Sequence, residues 1–237
     1  MIGIFGDSYA DPNSQSKDRP WMSFLSDKMN LPVNNYGRSG TSIWYSYEKF
    51  IENYKKYTHI VFSYSSYERI NHLPEKYTGC HYYKPSAQNK DKINDIATVY
   101  FKYLYNENLQ LFLYQKLYEE INRLCNEAGI NLINNLAYEP ERFENRYYMK
   151  LIDAKNVVGA SIIDQTEISR FKPGAKNVTD IGLTIDSRVC HFSQANNIIL
   201  ANIMFDLFNS EIKTVHLDRK DFSFHLRDLR KYFENKT

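Results

Sequence analysis

The sequence has little cysteine, almost no net charge and no long apolar run, and each shortage excludes a class of protein. Its three cysteines cannot all pair within one chain and form no Cys-x-x-Cys motif, which favours a reducing compartment and a cytoplasmic location. A formal net charge of +2 is too small to indicate nucleic acid or an acidic membrane face as the partner. No run of about 20 apolar residues occurs, and the first residues form a strand without a charged leader, so neither a membrane span nor a signal peptide is predicted.

Two Cys-His pairs, Cys80-His81 and Cys190-His191, contain side chains of the kind that bind zinc. Side chains that are adjacent in sequence seldom point at the same metal ion, so we interpret the duplication as a coincidence. The sequence therefore predicts no metal site and no cofactor.

The chain is rich enough in apolar residues to bury one sizeable core, because 43% of its 237 residues are hydrophobic and 15% are aromatic. Short apolar runs alternate with amphipathic segments, which is the pattern of an α/β protein. Strands are predicted at 2–5, 31–33, 58–64, 130–133 and 157–163, and helices at 21–29, 43–57, 108–127 and 196–203.

We predict a single domain over residues 1–210, with insertions at about 71–106 and 138–180. The first insertion is rich in tyrosine, lysine and asparagine. We expect it either to cover the crevice at the sheet edge as a lid or to be a solvated segment with no role in binding. A C-terminal extension over residues 211–237 carries alternating charges and spaced phenylalanines, and we expect it to pack on the domain or on a second subunit, as in a homo-oligomer.

The apolar strand at the start of the chain runs directly into Gly6-Asp7-Ser8. Gly6 lets the backbone turn sharply, and Ser8 then lies at the carboxyl edge of a parallel sheet, where α/β proteins bind their ligands. One interpretation is that Ser8 carries a functional hydroxyl. The other is that Asp7 or Ser8 caps the segment that follows.

Two further segments favour the functional interpretation. The stretch from Asn34 to Ser42 contains Gly37 and Gly40, and glycines let backbone amides approach a ligand closely. Near the other end of the chain, His191 lies just before an amphipathic segment that is predicted to be a helix.

Together these segments resemble the SGNH hydrolase family, also called GDSL. Gly6-Asp7-Ser8 is similar to the first block with its nucleophilic serine, Ser39-Gly40-Thr41-Ser42 to the second block with its oxyanion glycine, and His191 to the histidine of the last block. The resemblance implies a three-layer α/β/α sandwich with a mostly parallel, flavodoxin-like sheet of five strands. It also implies hydrolysis of an ester or O-acetyl group of a small molecule or carbohydrate. Ser8 would be the nucleophile, His191 the base, and the amides of Ser8 and Gly40 the oxyanion donors.

The third block of the family departs from this pattern. There the family carries a Gly-x-Asn whose side-chain amide completes the oxyanion hole, whereas this chain has Ser65-Ser66-Tyr67 after its third strand. Asn71 is a substitute if the register is shifted, and Arg69 offers charged donors that suit a phosphate or a developing oxyanion. Each oxyanion donor is worth roughly 3 kcal/mol of barrier, so an uncompensated loss would slow the enzyme about a hundredfold.

The last block also departs from the family. The family places an aspartate three residues before the histidine, and Arg188 occupies that position here. Asp186 lies five residues before His191 and is the candidate that orients the imidazole, because a triad is defined by geometry and not by spacing. A backbone carbonyl is the alternative.

Three arginines, Arg38, Arg69 and Arg188, lie in or beside the motif segments, and together with Asp7 they are the candidate substrate-binding residues. They motivate a second hypothesis, in which the same crevice binds or cleaves a phosphorylated or nucleotide ligand. The simpler interpretation is that surface arginines are common and that at least one of the three pairs with Asp186 or Glu68.

Overall fold

Among the residues that the structure describes, six parallel strands form one sheet in the order β2-β1-β3-β4-β5-β6. The computed structural model describes residues 1–12, 19–67, 69, 99–136, 151–158 and 194–217. The strands are β1 (Ile2–Phe5), β2 (Val33–Asn35), β3 (His59–Tyr64), β4 (Asn131–Leu136), β5 (Lys155–Val158) and β6 (Thr214–His216). The helices are α1 (Trp21–Met29), α2 (Ile43–Asn53), α3 (Glu107–Glu127) and α4 (Gln194–Asn209).

Helices cover both faces of the sheet, so the predicted three-layer α/β/α architecture is confirmed. Successive residues of a strand point to opposite faces. Ile4 and Val61 therefore pack with α1 and α4 in one core, whereas Phe5 and Phe62 pack with α2 and α3 in the other. Both faces are covered, and the central strands β1 and β3 are accordingly apolar along most of their length.

The sheet itself needs one correction, since the described part of the chain already contributes six strands and not the predicted five. The additional strand is β6, which lies inside the predicted C-terminal extension and pairs in parallel with β5. A segment of three residues is too short to display an alternating pattern, and only its pairing partner defines it as a strand. Residues 218–237 lie outside the described part of the chain.

Most of the two predicted insertions, 71–106 and 138–180, also lies outside the described residues. Their described parts are one π-helical turn at Tyr100–Leu104 and the segment that contains β5. A lid over the crevice therefore stays a prediction. None of the described helices is both long enough and apolar enough to cross a membrane.

The longest helix, α3, has well-defined ends. At its start the side chain of Asn106 accepts a hydrogen bond from the Leu109 amide at 3.1 Å, as an N-cap residue does. Gly129 follows its end with a φ of 66°, a left-handed conformation that glycine adopts without strain. The buried side chains recur with the period of a helix and form one face of α3: Leu111, Tyr114, Gln115, Leu117, Tyr118, Ile121, Asn122 and Cys125.

A network of buried polar side chains joins α3 to the sheet. We call it the asparagine network, and its members are Tyr64, Tyr118, Asn122, Asn134 and Asn156. Asn134 donates to Asn122 Oδ1 at 3.0 Å and accepts from the Tyr64 hydroxyl at 3.0 Å, while the Tyr118 hydroxyl donates to Asn156 Oδ1 at 2.8 Å. All five residues are buried, so their polar groups depend on protein partners in place of water. Burial accordingly raises the pKa of Tyr118 to about 12.

Candidate active site

A tight turn after β1 holds Ser8 at the carboxyl edge of the sheet. We call residues 6–11 the serine turn. The Asp7 carbonyl accepts hydrogen bonds from the amides of Ala10 at 3.0 Å and Asp11 at 2.9 Å, which closes one helical turn directly after the strand. Ser8 is 7% exposed, so only a small part of the residue reaches solvent.

Gly6, the first residue of the serine turn, has no space for a side chain. A Cβ at this position would lie 2.7 Å from the Cβ of Ser63 and 2.9 Å from the Ser63 carbonyl oxygen. Both distances are shorter than van der Waals contact. Glycine is therefore required here because the serine turn passes so close to β3.

Replacing Gly6 by alanine tests this close approach. We expect Gly6→Ala to lower the free energy of unfolding by about 3 kcal/mol, because the added methyl group overlaps backbone as well as side-chain atoms of β3. Urea denaturation measures the change. Gly129→Ala is the control: its Cβ meets no atom within 4 Å, so only a left-handed strain of about 1 kcal/mol opposes it. A Gly6→Ala variant as stable as the wild type would contradict the close approach.

The loop after β2 lies directly beside the serine turn. We call this loop, residues 36–42, the glycine loop. Its Arg38 amide donates to the Gly6 carbonyl at 3.1 Å, and its Ser39 amide donates to the Asp11 carboxylate at 2.8 Å. Strands β1 and β2 are parallel neighbours, so their carboxyl ends bring the two segments together. The predicted nucleophile and the predicted oxyanion glycine thus share one edge of the sheet.

Gly40 carries the second predicted oxyanion donor, its backbone amide. Its φ of 77° lies in the left-handed region, which a glycine adopts without a Cβ clash. No atom lies within 4 Å of the place where a Cβ would stand. In the part of the chain that the structure describes, the Gly40 amide donates no hydrogen bond. It is therefore available to a ligand oxygen.

Tyr36 anchors the start of the glycine loop on the sheet. Its ring stacks on Phe5 with the two centroids 5.1 Å apart, and its hydroxyl lies 2.7 Å from the Tyr57 hydroxyl. Burial and the hydrogen bond to Tyr57 raise the pKa of Tyr36 to about 12, so Tyr36 is neutral at physiological pH. The ring stacking and the hydrogen bond therefore hold the start of the glycine loop on the sheet.

A buried ion pair ties the segment after β3 to the site. Arg69 Nη1 donates to Asp7 Oδ2 at 2.8 Å and to the Thr41 carbonyl at 2.7 Å. The side chains of Arg69 and Asp7 are 6% and 0% exposed. The other carboxylate oxygen of Asp7 accepts the Tyr9 amide at 3.2 Å. Arg69 thus touches the serine turn and the glycine loop at once.

Tyr67 lies in the turn after β3, in which the resemblance to the SGNH family leads us to expect an asparagine. Its hydroxyl donates to Glu107 Oε1 at 3.0 Å, at the first residue of α3. The neighbouring Ser65 hydroxyl is buried and has no hydrogen-bond partner among the described residues. The described part of this turn therefore supplies no side-chain amide to the site.

Helix α4 begins at the same edge of the sheet as the serine turn. The side chain of Asn197, in its first turn, accepts the Trp21 amide at 3.0 Å, and Trp21 Nε1 donates to the Tyr9 carbonyl at 2.8 Å. The last turn of α4 lies at the opposite edge, where the Phe208 carbonyl accepts from Lys155, the first residue of β5.

The predicted site residues fall into two groups. Ser8, Asp7, Gly40, Arg38 and Arg69 come together at the carboxyl ends of β1, β2 and β3. The other three, Asp186, Arg188 and His191, precede α4 in the sequence and lie outside the described residues, so their roles stay predictions.

An open groove of about 770 Å³ runs from the glycine loop along α2. Arg38 lines it and is exposed, with its guanidinium 5.9 Å from the centre of the Tyr45 ring. Lys49 lines the same groove and forms an ion pair with Glu52, another lining residue, at 2.7 Å. Arg38 is therefore placed to meet a ligand, whereas Arg69 is buried against Asp7.

Sequence reasoning missed two residues that join the serine turn to the glycine loop. Asp11 accepts the Ser39 amide, and Asn35 donates its side-chain amide to the Ala10 carbonyl at 2.7 Å. Asn35 is the second of two asparagines at a strand end, and such residues often bond to nearby backbone, which is the signal that points to it. Asp11 has no comparable signal. In the described ranges, no group of three or more His, Cys, Asp and Glu residues is placed to hold a metal ion.

No family model matches the chain, and neither does any curated protein. Among solved structures, the chain is similar to a protein from Desulfitobacterium hafniense DCB-2 that is assigned to the lipolytic G-D-S-L family. The sequence identity is 13% and the TM-score is 0.35. The match covers 59% of this chain and 61% of the other, so it spans about three fifths of that structure.

Proposed function

We propose that the protein is a serine hydrolase of the SGNH type, which cleaves an ester or O-acetyl bond of a small molecule or carbohydrate. The observation that carries the proposal is the meeting of the serine turn and the glycine loop at one edge of the sheet. The hydrogen bond from the Arg38 amide to the Gly6 carbonyl joins the two segments. A serine beside backbone amides at the carboxyl edge of a parallel sheet suits acyl transfer.

In the proposed mechanism, Ser8 Oγ attacks the carbonyl carbon of the substrate while His191 takes the hydroxyl proton. Negative charge develops on the carbonyl oxygen, and the amides of Ser8 and Gly40 stabilise it. His191 then gives the proton to the leaving alcohol as the ester C–O bond breaks, which leaves the acyl group on Ser8. Water, deprotonated by His191, hydrolyses the acyl-enzyme. Asp186 holds the imidazole in the required tautomer.

The position of α4 supports the role of His191. The first turn of α4 contacts Trp21, which in turn donates to the Tyr9 carbonyl in the serine turn. His191 precedes Gln194, the first residue of α4, by three positions in the sequence. The helix that follows the proposed base in the sequence therefore begins at the same edge of the sheet as the proposed nucleophile.

The proposed oxyanion hole contains two backbone amides and no side-chain amide from the described turn after β3. Each donor is worth roughly 3 kcal/mol of barrier. We therefore propose a slower enzyme than one with three donors, by about a hundredfold in kcat.

Intact mass spectrometry after incubation with a fluorophosphonate tests the proposal. We expect one adduct per chain on the wild type and none on Ser8→Ala, because the reagent reacts with an activated serine. Ser39→Ala is the control, since Ser39 is an exposed serine in the neighbouring glycine loop and its loss should leave labelling unchanged. A folded wild type that takes no adduct would overturn the proposal.

The groove beside Arg38 favours a second candidate function, the binding or cleavage of a phosphorylated or nucleotide ligand. Arg38 supplies a cation and Tyr45 supplies an aromatic ring, a combination that suits a phosphate attached to a base or a sugar. Arg69 does not line this groove. A wild type that resists the fluorophosphonate but is stabilised against heat by a nucleotide would favour this second function.

A further inference from the structure

Arg69 contacts both segments of the candidate site with one nitrogen atom. Its Nη1 donates to the Asp7 carboxylate at 2.8 Å, in the serine turn, and to the Thr41 carbonyl at 2.7 Å, in the glycine loop. A guanidinium Nη carries two hydrogens, and these two bonds use both of them. This nitrogen is therefore committed to protein groups and not to a ligand.

The ion pair is almost completely removed from water, with side-chain exposures of 6% for Arg69 and 0% for Asp7. Burial of two charges costs solvation, so such a pair persists only where its geometry is excellent. Short charge-assisted hydrogen bonds also fix the groups they join more firmly than neutral ones. The fixed groups are next to the chemistry, because Asp7 is adjacent to Ser8 and Thr41 is adjacent to Gly40.

We infer that Arg69 is a positioning residue, which holds the amides of Ser8 and Gly40 at the separation that an oxyanion requires. The inference rests on the proposed serine hydrolase function. Arg69 acts through Asp7 and Thr41 and does not touch the substrate, at a turn where the family's asparagine would contact the oxyanion directly. In place of a third oxyanion donor, the chain thus has an arginine that bridges Asp7 and Thr41 and so orders the two backbone donors.

Arg69→Met tests the inference, because methionine fills part of the same volume and donates no hydrogen bond. A misplacement of about 1 Å costs a catalyst roughly a hundredfold. We therefore expect kcat for an activated ester and the rate of Ser8 phosphonylation to fall about 100-fold. KM should change little, since the variant loses stabilisation of the transition state and not affinity for the substrate. Arg69→Lys should restore part of kcat, because one ammonium can donate to both acceptors.

Arg123→Met is the matched control for these measurements. It removes an exposed arginine of α3 that pairs with Glu120 at 2.7 Å, and it should leave kcat and labelling unchanged. A folded Arg69→Met variant that is phosphonylated at the wild-type rate would overturn the inference.

Hydrogen exchange distinguishes the inference from the proposed function. Loss of the bridge should speed amide exchange in peptides that cover the serine turn and the glycine loop by about tenfold or more, and should leave β4 unchanged. Unchanged exchange in these peptides would overturn the inference. Faster exchange in Arg69→Met, together with a wild type that takes no fluorophosphonate, would support the bridge and overturn the hydrolase function alone.

A second variant keeps the test decisive if Arg69→Met does not fold, because that change leaves the buried Asp7 carboxylate without the Arg69 charge. Asp7→Asn/Arg69→Met removes both charges, and the asparagine oxygen can still accept the Tyr9 amide. This double variant also lacks the bond to Thr41. We expect the same loss of kcat and the same faster exchange, and wild-type kcat in a folded double variant would overturn the inference.

Discussion

Ser8→Ala is expected to lower kcat for an activated ester such as nitrophenyl acetate by about ten-thousandfold. Without the hydroxyl no acyl-enzyme forms, and only substrate binding and the oxyanion donors remain to assist the attack of water. Steady-state kinetics over a range of substrate concentrations separates kcat from KM. We expect KM to stay near its wild-type value, because the contribution proposed for Ser8 is made in the transition state.

The same variant should remain folded. The bonds from the amides of Ala10 and Asp11 to the Asp7 carbonyl do not involve the Ser8 side chain. Loss of one hydroxyl costs about 1 kcal/mol, which shifts the thermal midpoint by a few degrees at most. A folded Ser8→Ala variant that keeps more than a tenth of the wild-type kcat would exclude Ser8 as the nucleophile.

Asn134→Ala is expected to lower the free energy of unfolding by about 3 kcal/mol, a large share of the stability of a typical domain. The substitution removes two hydrogen bonds of Asn122, which it exchanges with Asn134 at 3.0 and 3.2 Å. It also removes the acceptor of the Tyr64 hydroxyl, which is fully buried. A buried polar group that loses its hydrogen-bond partner is no longer compensated for its lost hydration, and this desolvation cost lowers the free energy of unfolding. Urea denaturation monitored by circular dichroism measures the change.

A control and a double variant separate the network from a general effect of removing asparagine. Asn126→Ala changes an exposed residue of the same helix, α3, and should alter stability by less than about 0.5 kcal/mol. Asn122→Ala/Asn134→Ala should cost at least about 1 kcal/mol less than the sum of the two single changes, because each single change already breaks the shared bonds. Strictly additive costs would mean that the two side chains do not interact.

Strand β4 illustrates how tertiary contacts override a local preference. Consecutive asparagines favour turns, so the predicted strand ends at residue 133, whereas β4 continues to Leu136. Asn134 is bonded to α3 through the asparagine network, and Asn135 donates to Ser63 Oγ on β3 at 3.0 Å. These partners make two polar residues compatible with the middle of a sheet, and they lie 12 and 72 residues away from Asn134 and Asn135 in the sequence.

The candidate site was predictable from the sequence only in part. Ser8 follows a short apolar strand and Gly40 follows the predicted second strand, and the rule that ligands bind at the carboxyl edge of a parallel sheet places both of them there. Arg69 also follows a strand, but its charge is equally compatible with a bound ligand and with a carboxylate of the protein as its partner. Its partner Asp7 is 62 residues away in the sequence, and only the packed structure joins the two.

The sequence by itself determined the layered α/β architecture and the edge of the sheet that carries the candidate nucleophile, because apolar runs, helical periodicity and a Gly-Asp-Ser turn are local patterns. Only the tertiary structure decided the partner of Arg69, the asparagine network and the sixth strand. Each of these depends on contacts between segments that are distant along the chain. No local stretch of sequence contains both partners of such a contact, so the partners are defined only when the layers pack.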